Sequence, residues 1–397
     1  MFGLYIHWPF CLSKCIYCDF GSKIASKERL SNPTFQNLYC ECCKKQMHYF
    51  AKKIQNNQYQ QNLTSIYFGG GTPSLLNPEN IKQIIQEAKN LFNLSTDCEI
   101  TLEANPTSFE MEKFMLFRNA GVNRISLGIQ SFDDNELLWL GRKHNVQQAV
   151  DAINTIKTIF PKWNFDLIYG LPKQTLKKWI EELNFAFQLS PQHLSLYTLI
   201  VDEDTPLGKM VKDGNIEPKT EYEMADFYDA TNDFILNSSS TNEGKINQYE
   251  VSNYAIRGYE SRHNLCYWKS YDYIGIGAMA HGRLRYADGE RYEITNIDDV
   301  KKWISNIGND GNGLVVEKKL SQKENIEEIL LMGLRTTTGI DVADTNKRFN
   351  IQINNYLHQQ QIKDLVQNDF LVFNNNILRL TNKGISILDT ILQKILI

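Results

Sequence analysis

The chain has no apolar run approaching the roughly 18 residues that a membrane-spanning helix needs. Its start, Met1-Phe2-Gly3-Leu4-Tyr5-Ile6-His7, lacks the basic stretch and apolar core of a secretory leader and reads straight into a strand. A cytoplasmic protein is therefore expected, with transient association with a membrane surface left open. Positive charge is not in surplus. Forty-two Lys and Arg stand against 46 Asp and Glu, a net charge of -4, so attraction of the whole surface to nucleic acid is not expected. Neither is there the shortage of apolar residues that marks disorder, since 42% of the 397 residues are hydrophobic and 22% charged. The eight cysteines do not read as a disulfide framework either. Six of them (Cys11, Cys15, Cys18, Cys40, Cys42 and Cys43) lie in the first 43 residues, and such clustering in a cytosolic chain points first to metal or redox chemistry.

What is present is a repeating pattern. Short apolar segments ending in small or polar residues recur at Leu4–His7, Ser65–Phe68, Glu99–Leu102, Arg124–Ile129, Asn164–Ile168 and His193–Leu199. Between them, Asn80–Phe92, Glu110–Asn119, Val146–Ile159 and Leu176–Gln188 carry helical periodicity. Six strands alternating with helices predict an α/β fold with a parallel sheet, either open or curled into a partial barrel. In both forms ligands gather beyond the carboxyl ends of the strands. Downstream, Asn237–Gly244 reads as a loop, Tyr273–Gly282 as a glycine-rich apolar stretch and Gly308–Gly313 as a linker. Helices at Lys323–Leu334 and Ile353–Gln367, then Phe370–Phe373 and Ile377–Leu380 around an Asn triplet, suggest a small winged-helix-like unit. The expected domains are 1–310 and 318–397.

The cysteines at 11, 15 and 18 are spaced by four and three residues, after a strand and Pro9. Three thiolates from a short loop suit three corners of a 4Fe–4S cube and leave the fourth iron open to an exchangeable ligand. Two other readings compete. The spacing also fits one face of a helix, and so three core cysteines, although Pro9 argues for a loop. A zinc site would want a fourth ligand, which Cys40, Cys42 or Cys43 could supply.

With Tyr17 inside CxxxCxxC after the strand Tyr5–His7, and Gly69-Gly70-Gly71-Thr72-Pro73 after the second strand, the chain resembles the radical S-adenosylmethionine superfamily. The resemblance implies a partial (β/α)6 barrel, a 4Fe–4S cluster on Cys11, Cys15 and Cys18, and S-adenosylmethionine on the open iron. Resemblance to the coproporphyrinogen III oxidase-like branch further implies cofactor contacts from Tyr5, Tyr17, Gly70, Gly71, Thr72, Glu103, Gln130, Arg142 and Asp166.

Two types within the branch compete. One is the oxygen-independent oxidase or a related enzyme of porphyrin biosynthesis, and the other the heme-chaperone type, HemW. The oxidase type has a further cysteine where this chain has Asp19-Phe20, and a long arm before the first strand. His263-Asn264-Leu265-Cys266-Tyr267-Trp268 matches the HNxxYW motif of the chaperone type. That resemblance implies heme as a third ligand, with His263 a candidate axial ligand, Cys266 an alternative, and a heme acceptor protein of unknown identity. Oxidase activity is disfavoured, and a homodimer stays open. The run Tyr39–Lys45 reads either as small buried residues of a helix or as a second metal site.

Overall fold

The structure, a computed structural model, describes residues 1–55, 62–238, 244–309 and 312–396. A large sheet is laid down in chain order by β1 (Phe2–Trp8), β2 (Leu63–Gly70), β3 (Leu94–Ala104), β4 (Arg124–Gln130), β5 (Lys162–Tyr169) and β6 (His193–Thr198). It continues with β7 (Ile246–Glu250), β8 (Asn253–Ile256), β9 (Asp272–Ile276), β10 (His281–Arg285), β11 (Arg291–Asn296) and β12 (Leu314–Lys319). Its order is β12-β11-β10-β9-β1-β2-β3-β4-β5-β6-β8-β7. From β9 through β6 all neighbours run parallel, and both flanks are antiparallel. All six predicted strands are present, as the parallel core of a partial (β/α)6 barrel. Such strands bury both faces, and β1 accordingly exposes little of any residue.

The crossover helices follow from their caps and stripes. In α1 (Pro33–Ile54) and α2 (Pro78–Leu91), Asn32 and Asn77 cap the first turn and a proline takes the first helical position. A capping box of Asn145 and Gln148 opens α3 (Val146–Ile159), which buries Ala149, Ala152, Ile153 and Ile156 at helical spacing. Thr175 caps α4 (Leu176–Gln188). The helix expected over Glu110–Asn119 is instead two short ones, Ser108–Met111 and Phe114–Ala120. At the break the Lys113 N–H bonds the carbonyl of Glu110 three residues back at 3.0 Å, a tighter turn, and the Glu110 carboxylate is turned inward to accept from the Asn105 amide at 2.8 Å and from the Ser74 hydroxyl. The glycine-rich Tyr273–Gly282 holds all but the first residue of β9, the seventh parallel strand. Gly275 permits it, since a Cβ there would lie 2.0 Å from the His281 carbonyl oxygen.

Past α5 (Glu221–Asn237) and α6 (Arg262–Trp268), the C-terminal unit includes α7 (Gln322–Gly333), β13 (Ile340–Asp341), α8 (Val342–Phe349), α9 (Gln359–Gln367), β14 (Leu371–Asn374), β15 (Ile377–Leu380) and α10 (Leu388–Ile395). Asn375 and Asn376 both take positive φ, the two-residue hairpin turn that asparagines favour. One hydrophobic core draws on residues from Phe2 to Ile307 and a second on Ile326 to Ile395. Glu328 ties the second to the sheet, pairing with Arg283 at 2.7 Å and Arg291 at 3.0 Å. The expected loop Asn237–Gly244 and linker Gly308–Gly313 lie partly outside the described residues. Among the described residues no helix is long and apolar enough to cross a membrane.

The amino ends of the parallel strands are closed by a buried ion pair. Arg124 and Glu99, 1% and 2% exposed, stand 3.7 Å apart, and Arg124 also donates to Asn164 Oδ1 and the Tyr259 carbonyl. Removing one partner leaves a buried charge uncompensated. Glu99→Ala is expected to cost about 3–5 kcal/mol, read as a lower midpoint for unfolding in urea, and an unchanged midpoint would contradict this account.

Candidate cluster and cofactor site

The cysteine loop starts where β1 ends. Phe10–Cys11 pairs in parallel with Lys23–Ile24, closing the segment between them into a loop over the carboxyl edge of the sheet. Backbone bonds anchor it elsewhere too. Ile16 N–H donates to the Leu140 carbonyl at 3.3 Å, and the Ile16 carbonyl accepts from Leu207 N–H at 2.9 Å. Cys11 is buried, while Cys15 and Cys18 are half-buried. Thr72 Oγ1 donates to Cys11 Sγ at 3.3 Å, and Arg142 Nη1 to Cys15 Sγ at 3.4 Å. Burial pushes the Cys11 and Cys18 thiols up, so binding a metal here would release protons. Among the described residues no three Cys, His, Asp or Glu converge on a point that would hold a single ion. A cube that puts each thiolate on a different iron needs a wider spread.

The surroundings fit such a cluster with a polar cofactor beside it. Arg142 donates through Nη2 to Asn105 Oδ1 at 2.6 Å and to the Gly128 carbonyl at 2.5 Å, and among the described residues its buried Nε has no partner. Asn105 Nδ2 reaches Thr72 Oγ1 at 3.5 Å, so Cys11, Thr72, Asn105, Arg142 and Cys15 form one continuous chain of contacts. Gln130 sits at a bulge after Gly128 with φ +77°, its amide beside the Arg142 guanidinium over Gly128. Gly71 allows the close approach of this edge to the loop, because a Cβ there would lie 2.7 Å from the Phe10 carbonyl oxygen. Tyr17 packs with Leu140, Ile168 and Leu171, and its phenol is held well above its ordinary pKa by burial.

A second group centres on Glu103. Its carboxylate accepts from Tyr67 Oη at 2.8 Å and from Gly70 N–H at 3.2 Å, and burial pushes it up to about 7. Gly70 turns with φ +107° under the His7 ring, where no Cβ would fit. His7 bonds Tyr5 Oη at 3.0 Å and the Gly21 carbonyl at 2.7 Å, joining this group to the end of the cysteine loop. Asp166 lies in the middle of β5, further inside the barrel, near Ser126 and Asn164, and is pushed up to about 6 by burial.

His263 lies inside the barrel wall, 1% exposed. Its Nδ1 pairs with Ser65 Oγ at 2.9 Å, its Nε2 with the Tyr267 hydroxyl, and its ring stacks on Tyr67. Cys266 is buried as well, with its thiol pushed up to about 11 by burial. Cys40, Cys42 and Cys43 are buried in α1, and burial pushes the Cys40 thiol up to about 12. They pack as small core residues.

Neither Tyr67 nor Ser65 was marked by a motif in the sequence. They alternate with Gly69 on one face of β2, and that period of two was the available signal.

A family model for the radical SAM superfamily matches residues 5–186, and one for the HemN C-terminal domain matches residues 320–387. Radical S-adenosyl methionine domain-containing protein 1, mitochondrial, of Danio rerio is 33% identical over 405 residues, covering 100% of this chain and 87% of that protein. The heme chaperone HemW of Bacillus subtilis is 32% identical over 386 residues, covering 97% and 96%. In fold, the chain is similar to the solved structure of coproporphyrinogen III oxidase (HemN) from Escherichia coli. The TM-score is 0.78 at 19% identity, over 99% of this chain and 89% of that one. The motif order, the sheet topology and these matches together assign the chain to the radical S-adenosylmethionine superfamily, within its HemW-like family.

Proposed function

We propose that this chain is a HemW-like heme chaperone, binding a 4Fe–4S cluster through Cys11, Cys15 and Cys18, S-adenosylmethionine beside it, and heme at α6 for delivery to an acceptor protein. It comprises two domains, the sheet domain, which β12 carries past residue 310, and the C-terminal unit. The observation that carries the reading is the place of α6. His263 stacks on Tyr67 at 5.0 Å between ring centroids, and Tyr67 holds Glu103, so the motif helix and the cofactor face share one wall.

In this reading Glu103 takes donor groups of the cofactor, the glycine edge at Gly70 and Gly71 lets it approach the backbone, Arg142 and Gln130 line its other side, and Tyr5 and Tyr17 flank it. A reduced cluster supplies the electron with which this superfamily opens a sulfonium. The chain's own part is to fix the thiolates and present a desolvated carboxylate. Ligation of heme iron by His263 Nε2 requires Tyr267 to release that nitrogen first. Asp19-Phe20 after the third cysteine leaves no fourth thiol for an oxidase-type loop.

Anaerobic reconstituted protein given reductant, S-adenosylmethionine and either heme or coproporphyrinogen III separates the readings. Heme uptake by absorbance titration with no tetrapyrrole product is expected, and His263→Ala is expected to weaken uptake at least about tenfold. Conversion of coproporphyrinogen to protoporphyrinogen would overturn the chaperone reading. Cofactor binding carries its own pH signature. A cation beside Glu103 favours the ionised carboxylate, so affinity is expected to fall as pH drops through about 7, by up to about tenfold per unit. Glu103→Gln is expected to flatten that profile, measured by equilibrium dialysis. A profile unchanged by the substitution would remove Glu103 from the site.

A further inference from the structure

Tyr67 stands between two groups that the proposed function keeps apart. Its hydroxyl donates to Glu103 Oε1 at 2.8 Å. Its ring lies almost parallel to His263, with 5.0 Å between centroids and 21° between planes, and to Tyr5 at 6.2 Å and 26°. Tyr5 and His263 are themselves stacked at 6.1 Å and 25°, so the three rings form one near-parallel cluster. His263 is the second residue of α6, and Ser65 and Tyr267 fix both of its nitrogens. The ring is thus held between β2, through Ser65 and the stacked Tyr67, and its own helix, through Tyr267.

Glu103 is under-supplied with donors. Among the described residues it accepts from the Tyr67 hydroxyl and the Gly70 N–H, whereas an ionised carboxylate has about four acceptor positions. A cationic ligand bearing N–H or O–H donors fills the open positions and favours the ionised form. A bond to an ionised acceptor is shorter and stronger than one to a neutral group, so the Tyr67 hydroxyl is gripped harder when the site is filled.

We propose that Tyr67 is a positioning residue that transmits occupancy of the cofactor site to α6: donors arriving at Glu103 fix the Tyr67 hydroxyl, the Tyr67 ring holds His263, and the helix stiffens. This rests on the assignment of Glu103 to S-adenosylmethionine, and it is independent of heme. Linkage makes the effect reciprocal. Anything that draws His263 or Tyr267 out of the wall loosens Tyr67 and weakens the cofactor by the same factor.

Hydrogen–deuterium exchange of the full-length, anaerobically reconstituted protein, read on peptides covering residues 262–268, tests this. Saturating S-adenosylmethionine is expected to slow exchange there by about fivefold or more in the wild type. In Tyr67→Phe, compared at its own cofactor saturation, the slowing is expected to disappear while the ring stack remains. The reciprocal measurement does not depend on that variant folding. His263→Ala is expected to weaken S-adenosylmethionine about fivefold in heme-free protein, because Tyr67 loses the ring behind it. Bound cofactor with α6 exchange unmoved, an undiminished response in Tyr67→Phe, or unchanged affinity in His263→Ala would each overturn the inference. Failure of S-adenosylmethionine to bind at all would instead overturn the assignment of Glu103.

Discussion

Three thiols spread over eight residues can serve one cluster only if their loop is fixed to the edge of the sheet, and the guanidinium of Arg142 is the joint that does so. It donates to Cys15 Sγ, to Asn105 Oδ1 beyond β3 and to the Gly128 carbonyl near the end of β4. A cation there serves twice. It satisfies acceptors that the open carboxyl edge of a parallel sheet leaves exposed, and it places positive charge beside a sulfur that must become a thiolate to hold iron. A lysine would supply the charge without the planar fork that reaches three acceptors at once.

The rest of the mouth is built by letting backbone approach backbone. Gly71 meets the Phe10 carbonyl, Gly70 turns under His7, and Gly277, with φ +105°, faces the His7 carbonyl. Each would clash if it carried a Cβ, so the strand end can lie against the cysteine loop only because these positions are glycines. Within the wall, the Glu103 and Asp166 carboxylates are both pushed up by burial. Among the described residues Glu103 has two donors, Tyr67 and Gly70, whereas Asp166 accepts from Ser126 and Asn164, and the engaged Arg124 at the opposite end of the barrel serves stability.

How much of this was legible depended on what each segment buries. The six parallel strands stood out because both of their faces are covered, leaving apolar runs that stop at polar edge residues. The flanking strands did not. His-Gly-Arg-Leu-Arg in β10 and Leu-Val-Val-Glu-Lys-Lys in β12 are half-exposed and charged, and only tertiary pairing makes them strands. The broken helix after β3 was hidden because both of its pieces keep helical periodicity, and the tight turn at Lys113 between them leaves no mark in that pattern. The cysteine loop and the glycine run were visible as motifs. Tyr67 was not, because an aromatic residue in a buried strand looks like core until its hydroxyl is seen on Glu103. His263 was visible in its motif, but the bonds that occupy both of its nitrogens come from Ser65, far away in the chain, and from Tyr267.

The central claim is that Cys11, Cys15 and Cys18 hold a cube with one iron left for S-adenosylmethionine. It is tested most directly by electron paramagnetic resonance of the anaerobically prepared, reduced protein before and after S-adenosylmethionine is added, alongside iron and sulfide analysis. The account predicts about four irons and four sulfides per chain, a reduced-cluster signal that changes shape when the cofactor is added, and loss of both signal and iron in Cys15→Ser. Protein that holds zinc or no metal, or a cluster signal indifferent to the cofactor, would contradict it.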